Sequence, residues 1–316
     1  MSDMFHIEYK YLKQITQETG FIQNSLEKVL RLIDILNILV HHPLLKSCFV
    51  LKGGTVLNLF YYNIPRLSVD VDLNYIKSIN KNIMLKDRSR MVTILTEIFS
   101  EDYKIEETRK EYALSQFELE YKAYSGSNDK LKVEINYLHR LPLNSYANRD
   151  CNKFNILLRF PVMSFEEIIA SKTIALLCRS TPRDLYDIYQ TIISGIEFDK
   201  SVFRSLIIFY GLVSDVKIFE ILNIDFSQIT SYAIRRFLNP LLVRGKYPDR
   251  DEMVMKVEKF LKPFLELSNK ETTIIESFYS TGNLDIEFLL PQSDLIKNIL
   301  QSPTLKWRIQ NIKKHL

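Results

Sequence analysis

The sequence predicts an α+β chain in two parts, a mixed N-terminal part and an all-helical C-terminal part that meet near residue 160. Three observations predict this. Up to Leu138, stretches of helical apolar spacing alternate with short β-type runs. After Pro161 the periodicity is helical throughout, with breaks near Gly211, Pro240, the Gly245-Lys246-Tyr247-Pro248 cluster, Gly282, Pro291 and Pro303. Finally, the chain holds only eight glycines in 316 residues, where average usage of about 7% would give roughly 22. Six of the eight stand alone, and Gly53 and Gly54 are the one adjacent pair.

The elements follow in order. Residues 1–45 read as helical, with Leu26, Val29, Leu30, Ile33, Leu36 and Leu39-Val40 at helical spacing and Pro43 ending the run. Cys48-Phe49-Val50-Leu51 is a short apolar strand. Gly53-Gly54 breaks it, and a helix starts at Thr55 and runs through Tyr62. Pro65 precedes a second strand, Leu67 to Leu73, and a helix covers about residues 84–99. Residues 112–122 and Leu131 to Leu138 alternate around the Ser125-Gly126-Ser127-Asn128-Asp129 turn, which predicts a hairpin. Ser164-Phe165-Glu166-Glu167 fits a capping box, opening a helix to about Arg179. Thr181-Pro182-Arg183-Asp184 starts the next, with proline at the first helical position.

Composition excludes several classes. Hydrophobic residues are 46% and charged residues 25%, ordinary values for a globular chain. No apolar run approaches the ~18 residues of a membrane span. The first six residues, Met1 to His6, lack a basic region followed by an apolar run, so no signal peptide is expected. Cys48, Cys151 and Cys178 are odd in number, far apart and form no Cys-x-x-Cys pair, which predicts free thiols in a reducing cytoplasm. The net charge of +4 permits a polyanionic partner without requiring one. Lys130 to Asp184 holds nine basic and five acidic residues, so an excess of the same size sits in that stretch. The histidines, His6, His41-His42, His139 and His315, form no metal-ligand set.

Three short segments carry chemistry. Leu51-Lys52-Gly53-Gly54-Thr55 places a strand, two glycines and a helix start in succession. Such a turn lets backbone N–H groups approach an anion, although alone it is also an ordinary turn. In Ser68-Val69-Asp70-Val71-Asp72-Leu73, the two aspartates share one strand face and Val69, Val71 and Leu73 the other. Two carboxylates so placed repel unless a cation lies between them, and Mg2+ takes hard oxygen ligands and bridges phosphates. Glu134 lies on the polar face of a second strand, between Val133 and Ile135. If the strands are neighbours, Glu134 joins the aspartates, as a metal ligand or a base for an attacking hydroxyl. Lys52 can be a neighbouring cation, although the expectation is that it points away from this site.

Together these segments match the architecture of DNA polymerase β-like nucleotidyltransferases. Gly53-Gly54-Thr55-Val56-Leu57 followed by Arg66-Leu67-Ser68-Val69-Asp70-Val71-Asp72-Leu73 resembles the first motif of the AbiEii/AbiGii family. These are nucleotidyltransferase toxins of type IV toxin–antitoxin and phage abortive-infection systems, the MenT-like toxins among them. Lys172-Thr173-Ile174-Ala175-Leu176-Leu177-Cys178-Arg179 followed by Arg183-Asp184-Leu185-Tyr186-Asp187 resembles the later motif, and Leu305-Lys306-Trp307 weakly echoes its ending. Fifteen residues separate Gly54 from Asp70, a gap suited to this family rather than to other nucleotidyltransferases.

The resemblance implies a bilobed molecule. Residues 1–160 would form a polymerase β-like nucleotidyltransferase lobe with a small mixed sheet. Residues 161–316 would form an all-helical lobe completing the cleft. It implies Mg2+ or Mn2+ on Asp70, Asp72 and Glu134, with Lys172 and Asp184 as further catalytic residues. Gly53, Gly54, Thr55, Lys172, Arg179 and Arg183 would bind the nucleoside triphosphate. Read from the residues alone, Lys172 can equally be a stem along the core with its head in water. Asp184 can equally serve as a first-turn acid after Thr181, and Asp187 can pair with Arg183 or Arg179. Ser68 is expected on the acidic face, either as a plain strand serine or as a phosphorylation site. A phosphate there would add about −1.5 to −2 charge where the nucleotide must sit.

The implied function is nucleotide transfer to RNA, at the tRNA 3′ end, blocking translation in the cytoplasm. A cognate antitoxin is implied that need not bind stably, and no membrane. Arg235-Arg236, Arg244-Gly245-Lys246 and Lys313-Lys314 are candidate contacts for the RNA backbone. A transferase acting on a protein or small molecule, or a non-catalytic module retaining the fold, are the competing readings.

Overall fold

The computed structural model describes residues 8–289 and 293–314. Met1 to His6, Pro291 and His315 therefore lie outside the described residues. The chain divides into two compact units. Unit 1 comprises Met1–Arg140, Tyr146–Met163 and Asn239–Tyr247; unit 2 comprises Leu141–Ser145, Ser164–Leu238 and Pro248–Leu316.

Unit 1 begins with α1 (Tyr9–Thr19) and α2 (Gln23–His41), the second ending two residues before Pro43. Then come β1 (Phe49–Lys52), α3 (Gly53–Val56) widening into a π turn at Leu57–Tyr61, β2 (Asp70–Tyr75) and α4 (Lys81–Phe99). Five strands follow: β3 (Lys104–Glu111), β4 (Leu114–Lys122), β5 (Asn128–Asn136), β6 (Tyr146–Lys153) and β7 (Ile156–Met163). They form one mixed sheet of order β3-β4-β5-β2-β1-β7-β6. β2 runs parallel to β5 and β1 parallel to β7; the other neighbours are antiparallel.

The mixed sheet and the β4–β5 hairpin match expectation, but the sheet has seven strands rather than a few. β7 was not expected because it runs past Pro161, into the stretch read as helical. β3 and β6 were not expected because they are the sheet's two edges. Their sequences, Lys-Ile-Glu-Glu-Thr-Arg-Lys-Glu and Tyr-Ala-Asn-Arg-Asp-Cys-Asn-Lys, are charged and mostly exposed, as edges must be to resist pairing with other chains. β2 begins at Asp70, three residues later than the apolar run suggested.

The sheet's apolar side includes Val71, Leu73, Phe117, Leu119, Val133 and Ile135, all buried, and α2 buries Leu26, Val29, Leu30, Ile33 and Leu36. The carboxylate of Glu27, fully buried in α2, takes a forked pair from Arg31 (2.8 and 3.0 Å) and the backbone N–H of Tyr124 (3.1 Å). Arg31 also stacks on the Tyr121 ring, 4.1 Å from its centroid. This fastens α2 to the β4–β5 turn, because a buried carboxylate must keep its partners. The returning segment Asn239–Tyr247 is held by backbone bonds from Leu67 to Leu241 (2.7 Å) and from Arg244 to Gly20 (3.1 Å).

Unit 2 is helical, as expected. It contains α5 (Phe165–Arg179), α6 (Pro182–Ile193), α7 (Lys200–Val213), α8 (Ile218–Ile221) and α9 (Ser231–Phe237). α10 (Arg250–Leu265), α11 (Asn269–Thr281), α12 (Ile286–Leu289), α13 (Ser293–Gln301) and α14 (Pro303–Lys314) follow. Phe198, Phe203, Phe260 and Phe264 form a ring cluster with edge-to-face, tilted and stacked contacts. Among the described residues no helix is long and apolar enough to cross a membrane.

Two expectations need correction. The capping box at Ser164 is only half made. Ser164 Oγ accepts from the Glu167 N–H (3.4 Å), but the Glu167 carboxylate turns to the N–H groups of Leu143 (3.0 Å) and Asn144 (2.9 Å) and to the Tyr210 hydroxyl (2.9 Å). Burial pushes that carboxyl up to about 7, against those three donors. Gly211 does not break a helix; it lies within α7. A Cβ there would stand 2.8 Å from Cδ1 and Cγ1 of the buried Ile218, so glycine lets α8 approach α7. Gly211→Ala is expected to cost about 1–3 kcal/mol through overpacking, measurable as a lower urea midpoint with an unchanged m value.

Candidate active site

The register of four strands gathers the acidic residues. Asp70 and Asp72 are half-buried, while Val71 and Leu73 between and beyond them are buried on the opposite face. Glu134 on β5 lies directly beside Asp72, and Lys132 beside Asp70. Gln116 on β4 continues the row beyond Glu134. Residues paired in register share a face, so Asp70, Asp72 and Glu134 form one carboxylate patch. Lys132 Nζ stands 3.8 Å from Glu134 Oε2.

β1 supplies the other wall. Lys52 is paired with Asp72 across the antiparallel β1–β2 ladder. This corrects the expectation that it points away: it stands on the acidic face. Among the described residues it makes no ion pair, and His139 feels its charge. Burial and Lys52 together hold His139 down to about 4, so the ring is neutral at neutral pH.

Gly53 follows with φ +77°, a left-handed conformation that glycine adopts without steric cost. A Cβ at this position would stand 2.6 Å from Asp72 Oδ2. The glycine is thus required twice, by its backbone and by the carboxylate packed against it. Gly54 is buried, and its carbonyl accepts from Asn58 Nδ2 (2.8 Å).

The Thr55 side chain is fully buried and donates from Oγ1 to the Asp70 carbonyl (2.6 Å). With its single proton given there, it accepts the Ser68 hydroxyl at 3.0 Å. Thr55 therefore fixes the entry to β2 with its side chain. Ser68 is only 9% exposed, so in this conformation its hydroxyl is held by Thr55 rather than presented to a modifying enzyme.

Three carboxylates are hard oxygen donors suited to Mg2+ or Mn2+. Asp72 is kept approachable because no Cβ stands on Gly53. Among the described residues no three His, Cys, Asp or Glu side chains close around one point. A cation held here would need ligands beyond these side chains.

The later motif forms a second cluster, within unit 2. Lys172 Nζ lies 2.7 Å from Asp184 Oδ1 and 3.1 Å from Asp187 Oδ2. Both aspartates are buried. Arg179 reaches Asp184 Oδ2 at 3.0 Å and the Thr181 hydroxyl does so at 2.8 Å. Burial pushes the Asp184 carboxyl up, but Lys172, Arg179 and Thr181 outweigh it and hold it down to about 2. The Lys172 head is therefore clamped between buried carboxylates rather than placed in water. Arg179 is 62% exposed and turns charge outward from this cluster. Arg183 is half-buried in the first turn of α6. Thr181 caps that helix, as its sequence predicted.

The alternation places the three carboxylates on polar strand faces, but it does not put Lys52 and Gln116 beside them. Their face depends on strand register, which four residues of β1 and an uneven alternation in β4 do not announce.

The family model for the nucleotidyl transferase AbiEii toxin of type IV toxin–antitoxin systems matches residues 36–267. Among solved structures, MenT4, a nucleotidyltransferase toxin from Mycobacterium tuberculosis H37Rv, is similar with a TM-score of 0.62 at 14% identity. That similarity covers 95% of this chain and 99% of MenT4. JHP933 from Helicobacter pylori has a TM-score of 0.47 at 19% identity, covering 82% of this chain and 99% of its own. No curated protein sequence matches this chain.

The Asp184 cluster sets a pH response. A carboxyl lowered from 3.8 to about 2 contributes about 2 kcal/mol, present above pH 3.8 and lost as pH falls through about 2. Lys172→Met leaves two buried carboxylates short of a cation and is expected to cost about 3–5 kcal/mol at pH 7. Its penalty should shrink on acidification from pH 7 to 4, as those carboxylates protonate. Urea titrations from pH 7 down to about pH 2 check both signs.

Proposed function

Because this chain belongs to the AbiEii family of nucleotidyl transferase toxins of type IV toxin–antitoxin systems, we propose that it transfers a nucleotide from a nucleoside triphosphate to RNA, at the 3′ end of tRNA, and so blocks translation. The observation that carries this reading is the in-register pairing of Asp72 with Glu134, with Gly53 packed on Asp72. It puts three carboxylates beside a glycine turn that opens a helix.

In this reading the triphosphate lies over Gly53 and Gly54, where backbone N–H groups at the start of α3 face its oxygens. Thr55 contributes its backbone N–H and holds Asp70 in place with its hydroxyl. Lys52, on the same face and in no ion pair among the described residues, offers its ammonium to the phosphates. When bound at Asp70, Asp72 and Glu134, Mg2+ or Mn2+ supplies positive charge to the phosphate oxygens and acidifies the attacking hydroxyl. The RNA hydroxyl oxygen bonds to the α-phosphorus, the bond to the β-phosphate oxygen breaks, and pyrophosphate leaves. Glu134 takes the proton of the hydroxyl. Lys172, Asp184, Arg179 and Arg183 keep the roles the family motif implies, with Arg179 carrying the most exposed charge. Regulation through Ser68 requires the Thr55–Ser68 contact to open first.

Incubation with labelled triphosphates, Mg2+ and total tRNA tests this reading. The wild-type protein should label tRNA. Asp70→Ala and Asp72→Asn should each lower the rate by about 10²-fold or more, the scale of losing charge stabilisation in a transition state. Gly53→Ala should cost at least about tenfold by displacing Asp72, while tRNA binding persists. Label on protein, or no label on any acceptor, would refute the RNA reading.

A further inference from the structure

α9 presents an exposed arc in which cations and rings alternate. At about 100° per residue, the order around the helix is Arg235, Tyr232, Arg236, Phe237. The opposite side is anchored by Ile234 and Leu238, both buried. Tyr232 is 60% and Phe237 53% exposed. The Arg236 guanidinium donates to the Tyr232 hydroxyl at 3.0 Å and stands 5.2 Å from the Phe237 ring centroid. From Phe226 to Pro248 the sequence has four basic residues and no acidic one.

Aromatic side chains ordinarily bury most of their area. Two left open on a seven-residue helix, each beside an arginine, suit a ligand with flat apolar faces and negative charge in alternation. Unpaired RNA has that chemistry: bases stack on rings and phosphates pair with guanidinium groups. An acidic peptide would use the charges and leave the rings unpartnered. A duplex keeps its bases stacked within itself and offers only phosphates.

We propose that α9 is a stacking platform for unpaired bases of the RNA acceptor, with Tyr232 and Phe237 under the bases and Arg235 and Arg236 on the flanking phosphates. This rests on the RNA reading of the family activity and adds to it the part of the acceptor that is gripped. None of the four side chains belongs to the carboxylate patch or to the Lys172 cluster.

Fluorescence anisotropy with a labelled single-stranded RNA dodecamer tests the platform, beside the tRNA-labelling assay on the same proteins. Tyr232→Ala/Phe237→Ala should raise the Kd about tenfold or more with the salt dependence unchanged. Tyr232→Trp/Phe237→Trp should restore the affinity, which a merely disrupted fold would not allow. Arg235→Gln/Arg236→Gln should lower the slope of log K against log salt by about 1.4, the value for two single-strand phosphate contacts. If the alanine variant binds and labels RNA as the wild type does, the platform is wrong and the transferase reading stands. If the wild type neither binds nor labels RNA, the RNA reading fails and the platform falls with it. If poly-glutamate displaces the RNA as well as unlabelled RNA does, α9 is an acidic-protein contact and the platform is overturned.

Discussion

The contact between Gly53 and the Asp72 carboxylate constrains the rest of unit 1. A Cβ on residue 53 would stand 2.6 Å from Asp72 Oδ2, so the β1–α3 turn and the acidic face of β2 can coexist only around a glycine. The turn needs φ +77°, β1 must pair antiparallel with β2 so that Lys52 meets Asp72, and β5 must run parallel on the other side to bring in Glu134. Three strands and one helix start are thus fixed relative to one another at a point where like charges gather. Repulsion among those carboxylates is the standing cost of the arrangement, and a bound cation would relieve it.

Unit 2 solves a different electrostatic problem. Asp184 and Asp187 are buried in one helix turn of α6, and Lys172 comes from α5 to lie between them. A buried carboxylate without a partner is far more costly than a paired one, so this lysine binds α5 to α6 as well as carrying the family motif. Arg179 adds a second positive charge to Asp184 from a more exposed position. The same motif therefore has an inner member that is locked and an outer one that is open.

Much of this was legible in the sequence. The glycine pair in a glycine-poor chain, the alternation around Asp70 and Asp72, the β4–β5 hairpin and the Thr181-Pro182 helix start all depend on local spacing, and local spacing is what a sequence displays. β3 and β6 were hidden because edge strands carry charge in place of an apolar alternation. Lys52 was misread because the facing of a four-residue strand is decided by its partner's register. Glu167 looked like a capping-box acid but is drawn instead to Leu143, Asn144 and Tyr210, partners distant in sequence. The fates of Lys172 and Thr55 were likewise set by tertiary partners rather than by neighbours along the chain.

Asp70, Asp72 and Glu134 are proposed to act as one cation and triphosphate site. A crystal soaked with Mn2+ and a non-hydrolysable nucleoside triphosphate, read by anomalous scattering at the manganese edge, tests it most directly. Manganese is expected on the Asp70 and Asp72 carboxylates, bridged to phosphate oxygens lying over Gly53 and Gly54. Nucleotide and manganese bound elsewhere, with those carboxylates untouched, would contradict it.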